Sequence, residues 1–155
     1  MSETTSAARP PYYLPPVLGA PQPLDSGLDT PFHDGLRAHR VVLQRCASCQ
    51  GWQWPPEVLC HRCRSFDMVW EEPTSLEGAV YTWTRVWHAA REGLEASVPY
   101  VIVVVELDAA DGVRLVGNLL GDPQQEVVTG MRVLPVFEDH DDVDRPYTLL
   151  HWRAV

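Results

Sequence analysis

Hydrophobic and polar positions change rhythm three times along this chain of 155 residues. The first thirty residues have no period. They hold six of the fourteen prolines, with Tyr12-Tyr13-Leu14-Pro15-Pro16 in their middle. Proline removes a backbone donor and fixes φ, so residues 1–29 can form neither a helix nor a central strand and read as an extended arm. That arm is either a disordered leader or one whose Tyr12, Tyr13 and Leu14 dock on a partner or on the domain itself. Thr30-Pro31 then marks a helix start, with threonine as N-cap and proline at the first helical position. The helix is expected to run to about His39, with Phe32 and Leu36 on one face at i, i+4 spacing. At that length it must lean on the rest of the fold to persist.

From Val41 the rhythm turns to short strands. Val41-Val42-Leu43 leads into a first cysteine pair, Trp52-Gln53-Trp54 is a strand ended by Pro55-Pro56, and Phe66 to Trp70 is a third. From Leu76 the alternation becomes long. Val80, Thr82, Thr84 and Val86 are expected on one face of a strand reaching Trp87, and Tyr81, Trp83, Arg85 and Trp87 on the other. Gly78 within it suggests a bulge. His88 to Val98 is a polar loop or short helical turn. Pro99 to Leu107 is a buried strand turned back by Asp108 to Gly112 into Val113 to Leu120. Met131 to Glu138, an acidic loop Glu138 to Asp144, and Tyr147 to Trp152 complete the chain. Five strands with a long, curled first one fit a small Greek-key barrel of the OB type, with an open sandwich as the alternative.

The cysteines alter this picture most. All four lie in Cys46-Ala-Ser-Cys49, ten residues, Cys60-His-Arg-Cys63. Two such turns, folded back on one another, can close a tetrahedron of thiolates around one metal ion. Zinc is the expected ion; a rubredoxin-like iron site and a pair of disulfides are the alternatives. A two-turn ribbon cannot bury a core of its own, and in small zinc peptides the metal supplies roughly 10–16 kcal/mol. Four thiolates leave no coordination position open, which argues against metal catalysis and for a rigid platform.

Composition sets further bounds. With 45% hydrophobic residues the chain can bury one moderate core plus a small appended module. The longest apolar run, Val101 to Val105, is far short of a membrane span. The N-terminus has neither a basic head nor an apolar stretch of signal type, so a cytoplasmic, thiol-reducing location is expected. There is no lysine among the twelve basic residues, which excludes Schiff-base chemistry and a phosphate-loop lysine. The formal charge of −9 is uneven. Arg37, Arg40, Arg45, Arg62 and Arg64 outweigh the single acid Glu57 around the cysteines, whereas residues 74–155 carry six arginines against thirteen acids.

Candidate chemistry outside the ribbon is thin. His33, His39, His61, His88, His140 and His151 show no ligand spacing and read as surface or satisfied polar residues. There is no Gly-x-Ser-x-Gly elbow, no cysteine is left over as a nucleophile, and Asp141-Asp142 sits in a solvated run. No catalytic residue is assigned. Trp83, Arg85, Trp87, His88 and Arg91 form the sharper constellation, a groove for a CoA thioester or for an aromatic partner surface. Arginine's fork suits phosphate. The plainer reading has Trp83 and Trp87 closing the barrel or packing on the ribbon. Trp52 and Trp54, with Arg45 and Arg62, flank the cysteines as further candidates for a partner surface.

These residues together resemble a known family, the zinc-ribbon/OB-fold proteins associated with acyl-CoA enzymes. The likeness covers about residues 30–140. It runs through Thr30-Pro31-Phe32, Leu36-Arg37, Leu43-Gln44-Arg45-Cys46, Cys49, Pro55-Pro56, Cys60 and Cys63, and then Gly78 to Thr84. Pro99-Tyr100-Val101, Glu106-Leu107, Gly117-Asn118-Leu119 and Gly130-Met131-Arg132-Val133 complete it. Gln50 and Arg64 stand where the family often has a glycine after each cysteine pair. The resemblance implies a mainly β protein: a helical hairpin (here a short N-terminal helix), a rubredoxin-like zinc ribbon over 30–73 and a five-stranded OB-fold barrel over 74–155. It also implies a non-catalytic accessory subunit of a thiolase-fold enzyme. Relatives bridge an archaeal acetoacetyl-CoA thiolase to hydroxymethylglutaryl-CoA synthase, or pair with the thiolase-like aldolase of steroid side-chain degradation in actinobacteria. A nucleic-acid-binding ribbon and barrel is the alternative, disfavoured because the barrel half is acidic and backbone binding needs a basic groove. A free-standing enzyme is the third.

Overall fold

A computed structural model describes residues 12–15, 19, 21–24 and 26–155. The remainder of the arm, and the expectation of a disordered leader with it, lies outside the described residues. Among those described there is one α-helix, α1 (Thr30–Arg37), so the second helix of the hairpin implied by the resemblance is not among them. Its N-cap is Asp29, not Thr30, and no side chain caps it. The Asp29 carboxylate instead accepts the Leu24 amide at 2.7 Å and faces His33 at 3.4 Å. The helix ends two residues before His39, which has φ +54°. Phe32 and Leu36 are both buried, as their spacing requires. Burial of each contributes roughly 1.5–3 kcal/mol, which is how so short a helix persists.

The ribbon is a three-stranded antiparallel sheet in the order β2-β1-β3, from β1 (Leu43–Cys46), β2 (Trp52–Gln53) and β3 (Met68–Glu71). The third strand starts at Met68, two residues later than the alternation suggested, and Phe66 is left exposed before it. The second half is a closed barrel, β4 (Gly78–Val86), β5 (Tyr100–Leu107), β6 (Arg114–Leu120), β7 (Arg132–His140) and β8 (Tyr147–Ala154), in the order β4-β5-β6-β8-β7. Closure through the parallel β6–β8 pair is the OB arrangement, and the open sandwich is set aside. Val80, Val101, Val103, Val105, Leu115, Leu119, Val133 and Trp152 fill it. Phe32, Leu36, Val41, Leu43 and Trp52 belong to the same core, so helix, ribbon and barrel are packed as one unit.

Strand β4 departs from its expected alternation. Val80 pairs with Val105 but Thr82 pairs with Val104, which leaves Tyr81 without a partner. The bulge is therefore at Tyr81, not at Gly78. Gly78 is required for a different reason: a Cβ there would stand 2.6 Å from the Glu106 carbonyl oxygen. The extra residue inverts the faces beyond it. Trp83 now lies opposite Val103 and Arg85 opposite Val101, on the side of Val80, while Thr82 and Thr84 are exposed. Trp83 nevertheless stays exposed, on the half of β4 beyond Gly78 and Ala79, where β4 is no longer paired with β7.

Strand β7 runs on to His140, so the acidic loop begins only at Asp141. Glu138 is largely buried beneath Tyr13, whose amide donates to it at 2.6 Å, and within 2.9 Å of His140 Nε2 and 3.5 Å of His151 Nε2. Tyr12 stacks on His140 at 3.9 Å and its hydroxyl donates to Asp142, so this part of the arm docks on the barrel. His140 and His151 are buried rather than at the surface, each with Nε2 turned to Glu138 and with Nδ1 lacking a hydrogen-bond partner among the described residues.

Candidate metal centre and partner surface

Each cysteine pair closes a turn of the same design. The Cys46 carbonyl accepts the Gln50 amide at 2.8 Å and the Cys60 carbonyl accepts that of Arg64 at 2.9 Å. The Cys46 amide donates to Gly51 at 2.9 Å and the Cys60 amide to Ser65 at 2.8 Å. Such a turn forces its last residue to positive φ, and Gln50 (+61°) and Arg64 (+62°) both adopt it without being glycine. The left-handed region costs a side chain roughly 1–2 kcal/mol, and Gln50 offsets part of this by donating from its side chain to the Ala47 carbonyl at 2.8 Å.

The turns bring the four Sγ atoms within 4.8 Å of one another. Cys46 and Cys63 are 3.5 Å apart, Cys49 and Cys60 3.6 Å, and all four are free thiols, which removes the disulfide alternative. A metal bound by sulfur at about 2.3 Å has tetrahedral edges of about 3.8 Å, so the set fits such an ion. The electrostatics agree. The Cys49 amide lowers the Cys46 thiol below its ordinary value, and the Cys63 amide brings Cys60 down to about 6. Cys63 goes the other way: the Ser65 amide pulls it down, yet desolvation and the three neighbouring thiols push it up to about 12. Four sulfurs this close cannot all ionise without a cation between them.

Two supports that the sequence reading missed hold the turns together. Ser48, Ser65 and Asp67 link them on the solvent side, with Ser48 and Ser65 each donating to Asp67 at 3.1 Å. On the buried side Gln53 donates to Gln44 Oε1 at 2.9 Å and to the Leu59 carbonyl at 3.3 Å, and its own Oε1 accepts the His61 amide at 3.1 Å. Gln44 Oε1 also accepts the Glu57 amide at 2.9 Å. The only signal was two glutamines at strand positions flanking the cysteines, without a period to distinguish them from surface amides.

The other candidate residues fall into two groups. Trp52 is buried under the Arg45 guanidinium (5.1 Å), and Trp54 packs on Phe32 at 4.1 Å, so both join the ribbon to helix and barrel and offer little surface. Arg62 pairs with Asp111 of the β5–β6 turn at 3.2 Å. The second group lies on β4 and its loop. The Arg85 guanidinium stands 5.4 Å from the Trp83 ring and 5.9 Å from that of Trp87, and donates to the Pro123 carbonyl at 2.8 Å and that of Gln125 at 2.6 Å. Its fork is thus engaged by protein carbonyls. Trp83, Trp87, His88 and Arg91 are exposed, and the tryptophans do not pack on the ribbon or close the barrel.

Comparison with known proteins places this architecture. Residues 33–69 match the ChsH2 rubredoxin-like zinc ribbon domain and residues 71–138 the ChsH2 C-terminal OB-fold domain. A DUF35 domain-containing scaffold protein of Methanocaldococcus jannaschii is 35% identical over 63% of this chain and 70% of its own length. A probable enoyl-CoA hydratase alpha subunit of Thermomonospora curvata is 35% identical over 77% of this chain. A 3-oxo-4,17-pregnadiene-20-carboxyl-CoA hydratase alpha subunit of Mycobacterium tuberculosis is 33% identical over 83%. The match spans only 35% and 38% of those two subunits. Among solved structures, a chain of the Ltp2-ChsH2(DUF35) aldolase superposes with a TM-score of 0.71 at 31% identity, over 86% of this chain and 98% of that one. The chain belongs to the DUF35 family, with the zinc ribbon and OB-fold of ChsH2.

Proposed function

We propose that this chain is a non-catalytic accessory subunit. It binds and stabilises a thiolase-fold, acyl-CoA-processing enzyme, the aldolase of steroid side-chain degradation, and helps to shape that enzyme's acyl-CoA site. The observation that carries this reading is the closed sulfur tetrahedron: four thiols converge on one point, leaving a bound ion no position for substrate or water. The ion is a structural zinc held by Cys46, Cys49, Cys60 and Cys63, and it supplies cross-linking of the two turns. The catalytic groups then belong to the partner. Similarity over nearly the whole length of one chain of the Ltp2-ChsH2(DUF35) aldolase supports that choice of partner, and the CoA-ester hydratase subunits support the substrate class. What this chain contributes is position: one core joins ribbon to barrel, with Arg62 paired to Asp111 across the junction.

Tagged chain purified from its host should carry an Ltp2-type aldolase subunit with it in constant ratio and contain zinc. The isolated chain should show no turnover of CoA thioesters, and the aldolase subunit alone should be unstable or poorly active. Turnover by the chain alone, or gel-filtration profiles of the two proteins unchanged by mixing, would overturn the reading.

A further inference from the structure

The far half of β4 has one edge without a partner strand. On one side β4 pairs with β5 along its length, from Gly78–Leu107 to Val86–Tyr100. On the other it pairs with β7 only at Gly78 and Ala79. Val80 then exchanges backbone bonds with Met131 (2.9 Å) and Gly130 (2.7 Å), and the Tyr81 carbonyl receives the Thr129 hydroxyl at 3.5 Å. From Thr82 to Val86 no described residue bonds the backbone groups on this side. The register shift at Tyr81 falls where pairing with β7 ends, while 82–86 stay paired with β5.

A free edge is a template for another strand, and folded proteins blunt it with lysine, proline or an inward charge. Neither lysine nor proline stands in 82–86, and the inward charge there, Arg85, is already engaged by protein carbonyls. The stretch reads Thr-Trp-Thr-Arg-Val, and its one charge is turned back onto the Pro123 and Gln125 carbonyls. That same guanidinium lies 5.4 Å from the Trp83 ring and 5.9 Å from that of Trp87, within cation–π range, and the two rings are 37% and 56% exposed. Exposed aromatic rings beside unpaired backbone are the features of strand addition, in which main-chain bonds give affinity and alternate side chains give specificity.

We propose that the Thr82–Val86 edge of β4 accepts an extended segment of the partner enzyme subunit as an added strand, with Trp83 and Trp87 gripping its apolar side chains. The proposal rests on the accessory-subunit reading and names the surface through which it acts. The charge pattern selects the occupant. A second copy of this chain would bring together two bodies of formal charge −9. Arg91, on the loop that follows β4, has no ion-pair partner among the described residues and suits an acidic residue at one end of the incoming segment.

Amide hydrogen exchange at single-residue resolution tests this, on the zinc-loaded chain alone and mixed with an Ltp2-type aldolase subunit. In the free chain every second amide of 82–86, those facing away from β5, should exchange fast. In the complex these amides should slow by about tenfold or more while the β5-facing ones stay as they were. Thr82→Lys and Thr84→Lys, both at exposed positions, should each weaken the complex about tenfold without loss of zinc. A complex in which the edge amides exchange as fast as in the free chain, or which both lysine variants form with unchanged affinity, overturns strand addition and leaves the accessory role standing. No complex at all overturns both. A dimer of the isolated chain that the lysine variants abolish would assign the edge to a second copy instead.

Discussion

Replacing Gln53 by methionine removes the buried amide behind the second cysteine turn while keeping side-chain volume, so no cavity opens. Two backbone groups are orphaned: the Leu59 carbonyl, which Gln53 Nε2 reaches at 3.3 Å, and the His61 N–H, which its Oε1 reaches at 3.1 Å. Gln44 loses one donor but keeps the Glu57 amide at 2.9 Å. A buried unsatisfied group costs about 1–3 kcal/mol. Both orphans are only partly shielded, so about 1–1.5 kcal/mol applies to each, and the sum is about 2–3 kcal/mol. Because Leu59 and His61 flank Cys60, the loss falls on the site itself. Metal binding to such a ribbon includes the free energy of ordering it. Competition against a chromophoric zinc chelator should therefore show affinity falling about 30- to 150-fold. The pair also makes a cycle. Gln44→Met with Gln53→Met should cost less than the two single changes added together, since the Gln53–Gln44 bond is lost in either single change and is counted twice in their sum. Zinc affinity within threefold of the parent for Gln53→Met would refute the argument, because the amide would then be decorative.

The remaining predictions concern the ligands, the turns and acid. Cys60→Ser should release the zinc and abolish the complex rather than merely slow turnover, and a zinc-free variant that still co-purifies with its partner would refute it. Arg64→Gly should raise stability by about 0.5–1 kcal/mol, since it relieves positive φ where the side chain has no described partner. Gln50→Gly should give less, because it forfeits the bond to Ala47; urea midpoints compare the two, with Arg64→Ala as the control that gains nothing. Glu138 is held below the usual carboxylate range: burial pushes it up, but His151, the Tyr13 amide and His140 more than offset this. Asp139 is lowered by the Thr148 hydroxyl, then by His39 and Arg37 despite some desolvation. Depressed folded values mean that this stability is complete above the unfolded carboxylate range, about pH 4–4.5, and is lost as pH falls through the folded values. Glu138→Gln should flatten that acid limb in thermal melts; an identical limb would remove Glu138 from it.

Much of this was legible because it depends on local chemistry. Two cysteine pairs at this spacing mark a candidate metal site from local sequence alone, and strand periodicity located the five barrel strands to within a few residues. What stayed hidden was set by contacts distant in sequence. Thr30-Pro31 reads as a cap and first turn, but Asp29 is drawn into the N-cap position by the Leu24 amide and His33. Glu138 reads as the start of a solvated run until Tyr13, 125 residues away, covers it. Gln44 and Gln53 look like surface amides until the ribbon folds back and removes them from water. The position of the β4 bulge depends equally on β5. Gly78 was the local signal, but a register shift is decided by where the opposing side chains pack, and Val80 against Val105 left Tyr81 over.

That one-residue displacement has the largest functional consequence in the molecule. With a bulge at Gly78, the threonines and valines would share the inner face and the tryptophans would lie outside on a strand held to its neighbours. With the bulge at Tyr81, Val80 still closes the barrel, but Trp83 and Arg85 turn to the inner side just where β7 has stopped pairing. The core cannot reach them there, and the Pro123–Gln125 carbonyls bind the guanidinium instead. A metal held by the four cysteines would play the complementary part at the other end, fixing a ribbon that shares the barrel's core. Loss of zinc and loss of the β4 edge should therefore weaken partner binding in different ways. The first should lower stability and affinity together through the shared core, the second affinity alone.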